Sequence, residues 1–176
     1  MKKLVSTIAL LGALSTPLMA AEIIQLSVPN NNFPPGDVEG VRFSLLYGQT
    51  SNVTGVDIGI LGLSESNNFT GLSIDFLAGQ RVKNQFKGVS FSMVNWHDNT
   101  GVGGVIGAVN YTENNFTGLQ LGFVNYAGTL NGVQFGFVNA TQRINKGIQI
   151  GLINYDASGT FVSKDFPVFP IINGRF

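Results

Sequence analysis

The sequence predicts an all-β repeat protein, and three observations support this prediction. A motif of about fifteen residues that begins with glycine recurs along the chain. Within each copy, apolar side chains alternate with small or polar ones, which is the period of a β-strand. The segments between copies are rich in Asn, Asp, Ser and Gly, which favour turns. Helices are disfavoured, because a glycine inside a helix costs about 1 kcal/mol.

Residues 1–20 are expected to be a secretory signal peptide. Lys2 and Lys3 precede an apolar segment from Leu4 to Leu18, and the small residue Ala20 suits a cleavage site. The apolar segment is shorter than the roughly 20 residues that a membrane-spanning helix needs. The chain has no Cys, so neither a lipoprotein anchor nor a disulfide is expected. Residues 21–176 are then predicted to form a single β-repeat domain.

Low charge excludes one class of function. The chain has 10 basic and 10 acidic residues, and the charged fraction of 11% is less than half the roughly 25% of soluble domains. No basic patch stands out, so no nucleic-acid partner is expected.

The repeats give each unit two faces. Copies start near residues 23, 40, 55, 71, 88, 103, 118, 132, 147 and 166, and the first and last are degenerate. With the starting glycine as position 0, positions 1, 3 and 5 are nonpolar in all eight clear copies, whereas positions 2 and 4 are small or polar apart from Val105. Strand geometry puts these two sets on opposite faces. The predicted lipid- or ligand-facing apolar ring is Val41, Phe43, Leu45, Val56, Ile58, Ile60, Leu72, Ile74, Phe76, Val89, Phe91, Met93, Leu119, Leu121, Phe123, Val133, Phe135, Phe137, Ile148, Ile150 and Leu152.

The opposite face carries a candidate polar lining, which consists of Arg42, Asp57, Asp75, Gln120, Gln134 and Gln149. The three charged members could form an ion-paired interior or remain solvated on the surface, and the sequence leaves both possibilities open.

An antiparallel β-barrel of about ten strands is the predicted architecture. A strand of eight residues travels about 26 Å, and the six or seven residues left in each repeat could barely return the chain to its start. Ten strands, an even number, also allow an up-and-down barrel to close. A three-sided coil would escape the distance argument, but the chain would then have to bend within the apolar run.

A β-solenoid with one repeat per coil is the alternative. The sequence has a single period, without the two-unit period expected of alternating barrel strands. Asn recurs at position 7, where it would stack as a hydrogen-bonded ladder. Pro29, Pro167 and Pro170 lie in the terminal units, where an open stack of strands needs protected edges.

The direction of the apolar face decides the function of a barrel. An outward face would contact lipid, as in outer-membrane barrels, and an inward face would hold a hydrophobic ligand. Aromatic residues near strand ends are similar to interfacial girdles, although strict alternation puts them on the polar face: Tyr47, Trp96, Tyr111, Tyr126, Tyr155, Phe69, Phe86 and Phe116. Position 6 is aliphatic as well, which simple alternation does not explain.

The copies at 118–125 and 132–139 fit the pattern G-[VL]-Q-[FIL]-G-[FL]-[VI]-N, and the copy at 147–154 differs from it only by Ile148. This pattern resembles that of a family of bacterial envelope proteins with surface repeats, and the resemblance covers about residues 23–176. Members are often labelled polyhydroxyalkanoate synthases, but those enzymes resemble α/β hydrolases with a Cys nucleophile, which this chain lacks. The repeats are also similar to those of shallow β-barrels called β-flowers, for which lipid or membrane association has been suggested. The resemblance implies an envelope location and transfers no functional residues.

No catalytic or cofactor site is expected. His97 and Asp98 are adjacent in a turn segment, but Gly88-Val-Ser-Phe-Ser is not a nucleophile elbow, and an exposed turn histidine is the prediction. Gly101-Val-Gly-Gly lies within the repeat and opens no helix. One His without Cys cannot build a structural zinc site.

The predicted function is that of a non-enzymatic cell-envelope protein, exported across the inner membrane of a Gram-negative-type bacterium to its outer membrane, periplasm or surface. Membrane lipid or a hydrophobic ligand is the expected partner of a barrel. The alternative is a soluble or surface-displayed β-solenoid that binds protein or polymer partners.

Overall fold

Successive repeats lie side by side and run in the same direction in the computed structural model, which describes residues 21–176. Gly88 pairs with Gly103 and Gln134 with Gln149 in parallel registers. These shifts equal one repeat, so each repeat is one coil of a β-solenoid of about nine turns. The predicted antiparallel barrel is therefore wrong, and the alternative architecture is confirmed. The expected signal peptide at residues 1–20 lies outside the described residues.

The strands form one continuous sheet with the order β2-β1-β3-β4-β5-β6. Strands account for 85% of the described residues, and no helix among residues 21–176 is long and apolar enough to cross a membrane. The two longest strands, of 60 and 36 residues, each wind through more than two coils, and the third, of 19 residues, winds through little more than one. The bounds are β1 Glu22–Val28, β2 Asn31–Phe33, β3 Val38–His97, β4 Thr100–Phe135, β5 Val138–Asp156 and β6 Val168–Arg175.

A bend inside the apolar run explains how one repeat closes a coil. Phe123 and Val124, at positions 5 and 6, are both exposed, and Asn125 at position 7 is buried. Two successive outward side chains mean that the alternation changes phase at this point. The repeats within residues 21–176 are thus bent and do not form straight eight-residue strands, so the distance argument against a coil does not apply to them. The bend also explains why position 6 is aliphatic. We call positions 0 to 5 the first edge of a coil, positions 6 to 9 the second edge, and the remaining residues the third edge.

The starting glycines form a second corner. Gly118 has a φ of +133°, and a Cβ atom there would lie 1.9 Å from the carbonyl oxygen of Gly103 in the preceding coil. An L-residue rarely adopts this backbone conformation and would also clash with backbone. The glycine thus serves both the turn and the close stacking of coils.

Antiparallel strands lie at both ends of the stack. Strand β2 folds back on β1, and β6 runs antiparallel along the last coil, with Ile150 opposite Ile172. The degenerate unit at 167–173 is thus an edge strand and not a tenth member of a barrel. Pro170 lies in β6 at this edge, where a missing backbone donor is tolerated.

Candidate binding surface

The interior of the solenoid is largely polar behind the first and second edges, whereas a cluster of buried apolar side chains, including Phe69, Phe86 and Phe116, lies behind the third edge. All six residues of the candidate polar lining are buried. Arg42 and Asp57 have no exposed surface. The Arg42 Nε donates to Asp57 Oδ1 at 2.9 Å, and its Nη1 donates to the carbonyl of Glu65 at 2.9 Å. The hydroxyl of Ser64 donates to Asp57 Oδ2. Of the two possibilities left open by the sequence, the structure has the ion-paired interior for these two residues.

Asp75 lies in the same interior but makes no ion pair with Arg42. Its Oδ2 accepts hydrogen bonds from Ser73 at 2.7 Å and from Ser92, and its Oδ1 has no hydrogen-bond partner. Burial raises the pKa of Asp75 to about 6, while the two hydroxyls act in the opposite direction. The space for Oδ1 exists because position 4 of the preceding coil is Gly59, which has no side chain.

Amide side chains form two ladders along the solenoid axis. Gln134 donates to Gln120 at 2.7 Å, and Gln149 donates to Gln134 at 2.9 Å. The position 7 ladder has donor–acceptor distances of 2.7 to 2.9 Å and runs through Asn95, Asn110, Asn125, Asn139 and Asn154. The expected Asn ladder of a solenoid is confirmed. Each rung orders its neighbours, so the interior is a connected network.

Glycine at position 4 makes room for this ladder. A Cβ atom at Gly122 would lie 2.6 Å from Asn110 Nδ2. Gly107, Gly122, Gly136 and Gly151 all precede an Asn three residues later. The pairing of Gly with Asn at this spacing is a signal for the ladder that the sequence analysis did not use.

His97 is buried, with 1% of its surface exposed, so the prediction of an exposed turn histidine is wrong. Its ring stacks on Phe86 at a centroid distance of 4.4 Å, and Phe116 lies beyond its other face at 6.4 Å. Burial lowers the pKa of His97 to about 3. Phe69, Phe86 and Phe116 line the third edge from inside and are not girdle residues, because the bend in each coil moves position 13 or its equivalent to the interior.

The outside of the first edge is apolar. Every residue of the predicted apolar ring is half-buried or exposed, and exposure rises toward the bend, where Phe76 reaches 68% and Phe123 61%. Positions 1, 3 and 5 of the eight coils from Gly40 to Gly147 contain no charged residue. We call this surface the apolar side. Polar groups are buried directly beneath the apolar side, whereas a soluble protein usually has its apolar side chains inside and its polar ones outside.

The second edge extends the apolar surface around the bend. Leu77 at position 6 is 69% exposed. At position 8, the ring of Tyr111 stacks on Trp96 at 4.3 Å and on Tyr126 at 5.0 Å, both being centroid distances. Simple alternation assigns no direction to position 6, and the regular aliphatic character of that position is the sequence signal for its exposure.

A shallow groove of about 630 Å³ runs along the apolar side near its C-terminal end. The backbone of the position 4 glycines lies among its lining, and Ile171 from β6 contributes at one end. Its walls are side chains from positions 3 and 5: Leu121, Phe123, Phe135, Phe137, Ile150 and Leu152. Within residues 21–176, no group of three or more His, Cys, Asp or Glu side chains is placed to hold a metal ion.

Comparisons with protein-family models, curated proteins and solved structures found no match to this chain. The arrangement of its side chains is therefore the basis for assigning a function.

Proposed function

We propose that this chain is a non-enzymatic binding protein of the bacterial cell envelope, and that it attaches to its partner through the apolar side. One observation carries the proposal. Positions 1, 3, 5 and 6 of eight consecutive coils are nonpolar at all 32 sites, and these side chains lie on the outside of the solenoid.

The size of the apolar side supports a binding role. Eight strands spaced about 4.8 Å apart and five residues wide give a flat area of roughly 650 Å² for the first edge alone. The largest apolar patch of a typical monomer measures about 300 to 600 Å², and larger patches mark interaction sites. Position 6 adds to this area beyond the bend.

The locations of the reactive groups support a role without catalysis. His97, Asp57 and Asp75 are the strongest acid–base candidates in the chain, and all three are buried within the stack of coils. A substrate in solution could not reach them without opening the solenoid.

The sequence of the first twenty residues supports the envelope location, because it has the pattern expected of a secretory signal peptide. Antiparallel pairing at the two ends of the stack argues against growth by end-to-end addition of coils. Strand β6 occupies the edge of the last coil between residues 147 and 155, and β2 occupies the edge of β1 at residues 26–28.

Fractionation of the full-length chain in a Gram-negative host tests the proposal. After a carbonate wash, we expect the native chain to remain in the envelope fraction or to be released as part of a complex. Phe135→Lys places a charge on the apolar side and should reduce retention about tenfold or more, since a buried unpaired charge is costly. Asn115→Lys adds the same charge at an exposed site on the third edge and should have no effect. A native chain that is a free monomer, or equal loss in both variants, would contradict the proposal.

A further inference from the structure

We propose that the apolar side is occupied by a second copy of this chain, packed antiparallel about a two-fold axis. The axis runs parallel to the strands and passes between the Gly88 coil and the Gly103 coil. This inference rests on the proposed function and names the partner of the same surface.

The repeat pattern suits this symmetry. The axis divides the eight coils that start at Gly40 to Gly147 into two sets of four. Rotation about an axis along the strands keeps each position opposite the same position of the partner. The Gly88 coil then faces the Gly103 coil, and the Gly40 coil faces the Gly147 coil. Such a self-complementary contact closes after two copies.

Large and small side chains face each other at the axis. Val89 lies opposite Gly104 of the partner subunit, and Met93 lies opposite Ala108 of the partner subunit. A Cβ atom at Gly104 would meet nothing within 4 Å, so the apolar side has a depression at the Gly103 coil. Met93, which is 51% exposed, is long and flexible enough to fill a gap of this kind.

A parallel arrangement would not fill the depression. An axis along the solenoid would put each coil opposite itself, with position 1 facing position 5. Gly104 would then face Ala108 of the partner subunit, and two small residues would leave a void. Voids forfeit packing contacts, so side-chain size favours the antiparallel dimer.

Charge at the border of the apolar side is complementary in the same arrangement. The residue before each starting glycine borders the first edge, and Glu39 and Lys146 occupy this place at the two ends of the stack, both exposed. The two-fold axis brings Glu39 of each copy opposite Lys146 of the partner subunit. Lys87, near the axis, faces Val102 of the partner subunit, so no like charges meet.

The area fits a stable dimer. Two copies that each cover roughly 650 Å² bury about 1,300 Å² in total, within the 1,200 to 2,000 Å² of specific interfaces. A lipid surface could also cover an apolar side, but it would require neither matched side-chain sizes nor the opposed charges at the border.

Charge reversal and cysteine pairing test the dimer on the purified, exported protein. Analytical ultracentrifugation should show a dimer, and Glu39→Lys or Lys146→Glu alone should raise its dissociation constant about tenfold, since each creates two like-charge contacts. The double variant Glu39→Lys with Lys146→Glu should restore the native value. Because the chain has no Cys, a mixture of the single variants Met93→Cys and Ala108→Cys avoids a disulfide between adjacent coils of one chain. A bis-maleimide about 10 Å long, the separation of packed sheets, should join the two variants into a covalent dimer. The same reagent should not join two copies of Leu45→Cys, whose sites would lie seven coils, or roughly 34 Å, apart.

The other outcomes separate this inference from the proposed function. Suppose that the protein is a monomer that binds phosphatidylglycerol vesicles, or a different protein, with sensitivity to Phe135→Lys but not to charge reversal. The dimer is then overturned and the proposed function stands. A monomer that binds neither overturns both. A dimer that is indifferent to charge reversal and to the cysteine pair overturns the antiparallel arrangement.

Discussion

Arg42 and Asp57 form an ion pair in which neither side chain has any exposed surface. The pair spans two adjacent coils, and the guanidinium also donates to the carbonyl of Glu65 in the Gly55 coil. Both charges are satisfied entirely by protein groups, which makes each dependent on the other.

Removing one partner should therefore cost more than removing both. Arg42→Leu should lower the free energy of unfolding by about 3 to 5 kcal/mol, because Asp57 is left buried without a counter-ion. The double variant with Asp57→Leu should recover most of that loss, and Arg143→Leu at an exposed site serves as the control. Urea denaturation measures all three, and equal losses in the single and double variants would contradict the importance of the pairing.

The Asn ladder should contribute to stability through its connectivity. Asn125 accepts from Asn110 at 2.7 Å and donates to Asn139 at 2.9 Å and to the carbonyl of Phe135 at 3.0 Å. Asn125→Ala leaves buried polar groups without partners and should cost about 2 to 4 kcal/mol. Asn145 makes a similar rung to Asn131 on the exposed outside, and Asn145→Ala should cost less than about 0.5 kcal/mol. Similar denaturation midpoints for the two variants would show that the buried ladder is dispensable.

Two glycines of neighbouring coils should differ in how much an alanine substitution destabilises the protein. Gly118→Ala introduces a Cβ atom 1.9 Å from a backbone oxygen at a φ of +133°, and the conformational strain alone costs about 1 to 3 kcal/mol. Gly104→Ala meets no atom within 4 Å and should change stability by less than about 1 kcal/mol. Thermal unfolding followed by circular dichroism compares the melting temperatures of the two variants. Equal melting temperatures would show that the backbone at the Gly118 corner can shift to accept a Cβ atom.

The sequence was sufficient for the inside and outside of each coil but not for its closure. Alternation at Val133, Gln134 and Phe135 assigns opposite faces in a barrel and in a solenoid alike, so the pattern could not separate the two. The decisive feature is the bend at positions 5 and 6. Phe137 and Val138 occupy these positions, and neither is a typical turn residue. The chain bends there because both side chains can remain outside while Asn139 joins the ladder within.

His97 and the third edge were harder to predict for a different reason. Residues 97–101 have the composition of a turn, yet His97 points inward because alternation on the second edge restarts at the bend. Position 9 is buried wherever position 7 is, as Thr112 and Asn110 show. The apolar side was predictable as a row of apolar residues, whereas its extension to position 6 required knowledge of the bend.

Asp75 should make the protein less stable as pH rises. Burial raises the pKa of Asp75 from 3.8 to about 6, so the folded state binds the proton more tightly than the unfolded state does. This tighter binding of the proton contributes about 3 kcal/mol to the free energy of unfolding at low pH, and the contribution is lost as the pH rises from about 4 to 6. Asp75→Asn, which stays neutral, should be more stable than the native chain at pH 8 and not at pH 3.5. Urea unfolding at the two pH values measures this, and an equal difference at both would contradict the raised pKa.

His97 should have the opposite effect on stability, because its pKa is lowered. Burial lowers the pKa from 6.5 to about 3, so the folded state keeps the ring neutral while the unfolded state gains a proton below pH 6.5. Stability is present in full above pH 6.5 and falls by about 2 kcal/mol on going to pH 5. Since Asp75 acts in the reverse direction over this range, the two contributions partly cancel in the native chain.

The effect of His97 on the pH dependence of stability is therefore best measured in the Asp75→Asn background. There, His97→Phe keeps an aromatic ring between Phe86 and Phe116 but removes the titrating group, and it should abolish the loss of stability between pH 7 and pH 5. His97→Phe also removes the 3.0 Å hydrogen bond to Thr112, which lowers stability equally at both pH values. Thr112→Val isolates that second effect, because it removes the same bond and leaves the imidazole to titrate. The loss of stability between pH 7 and pH 5 could instead be the same with and without the His97→Phe substitution. A group other than the imidazole of His97 would then have to bind the proton. The stacked ring would contribute to packing only and would not influence stability in acid.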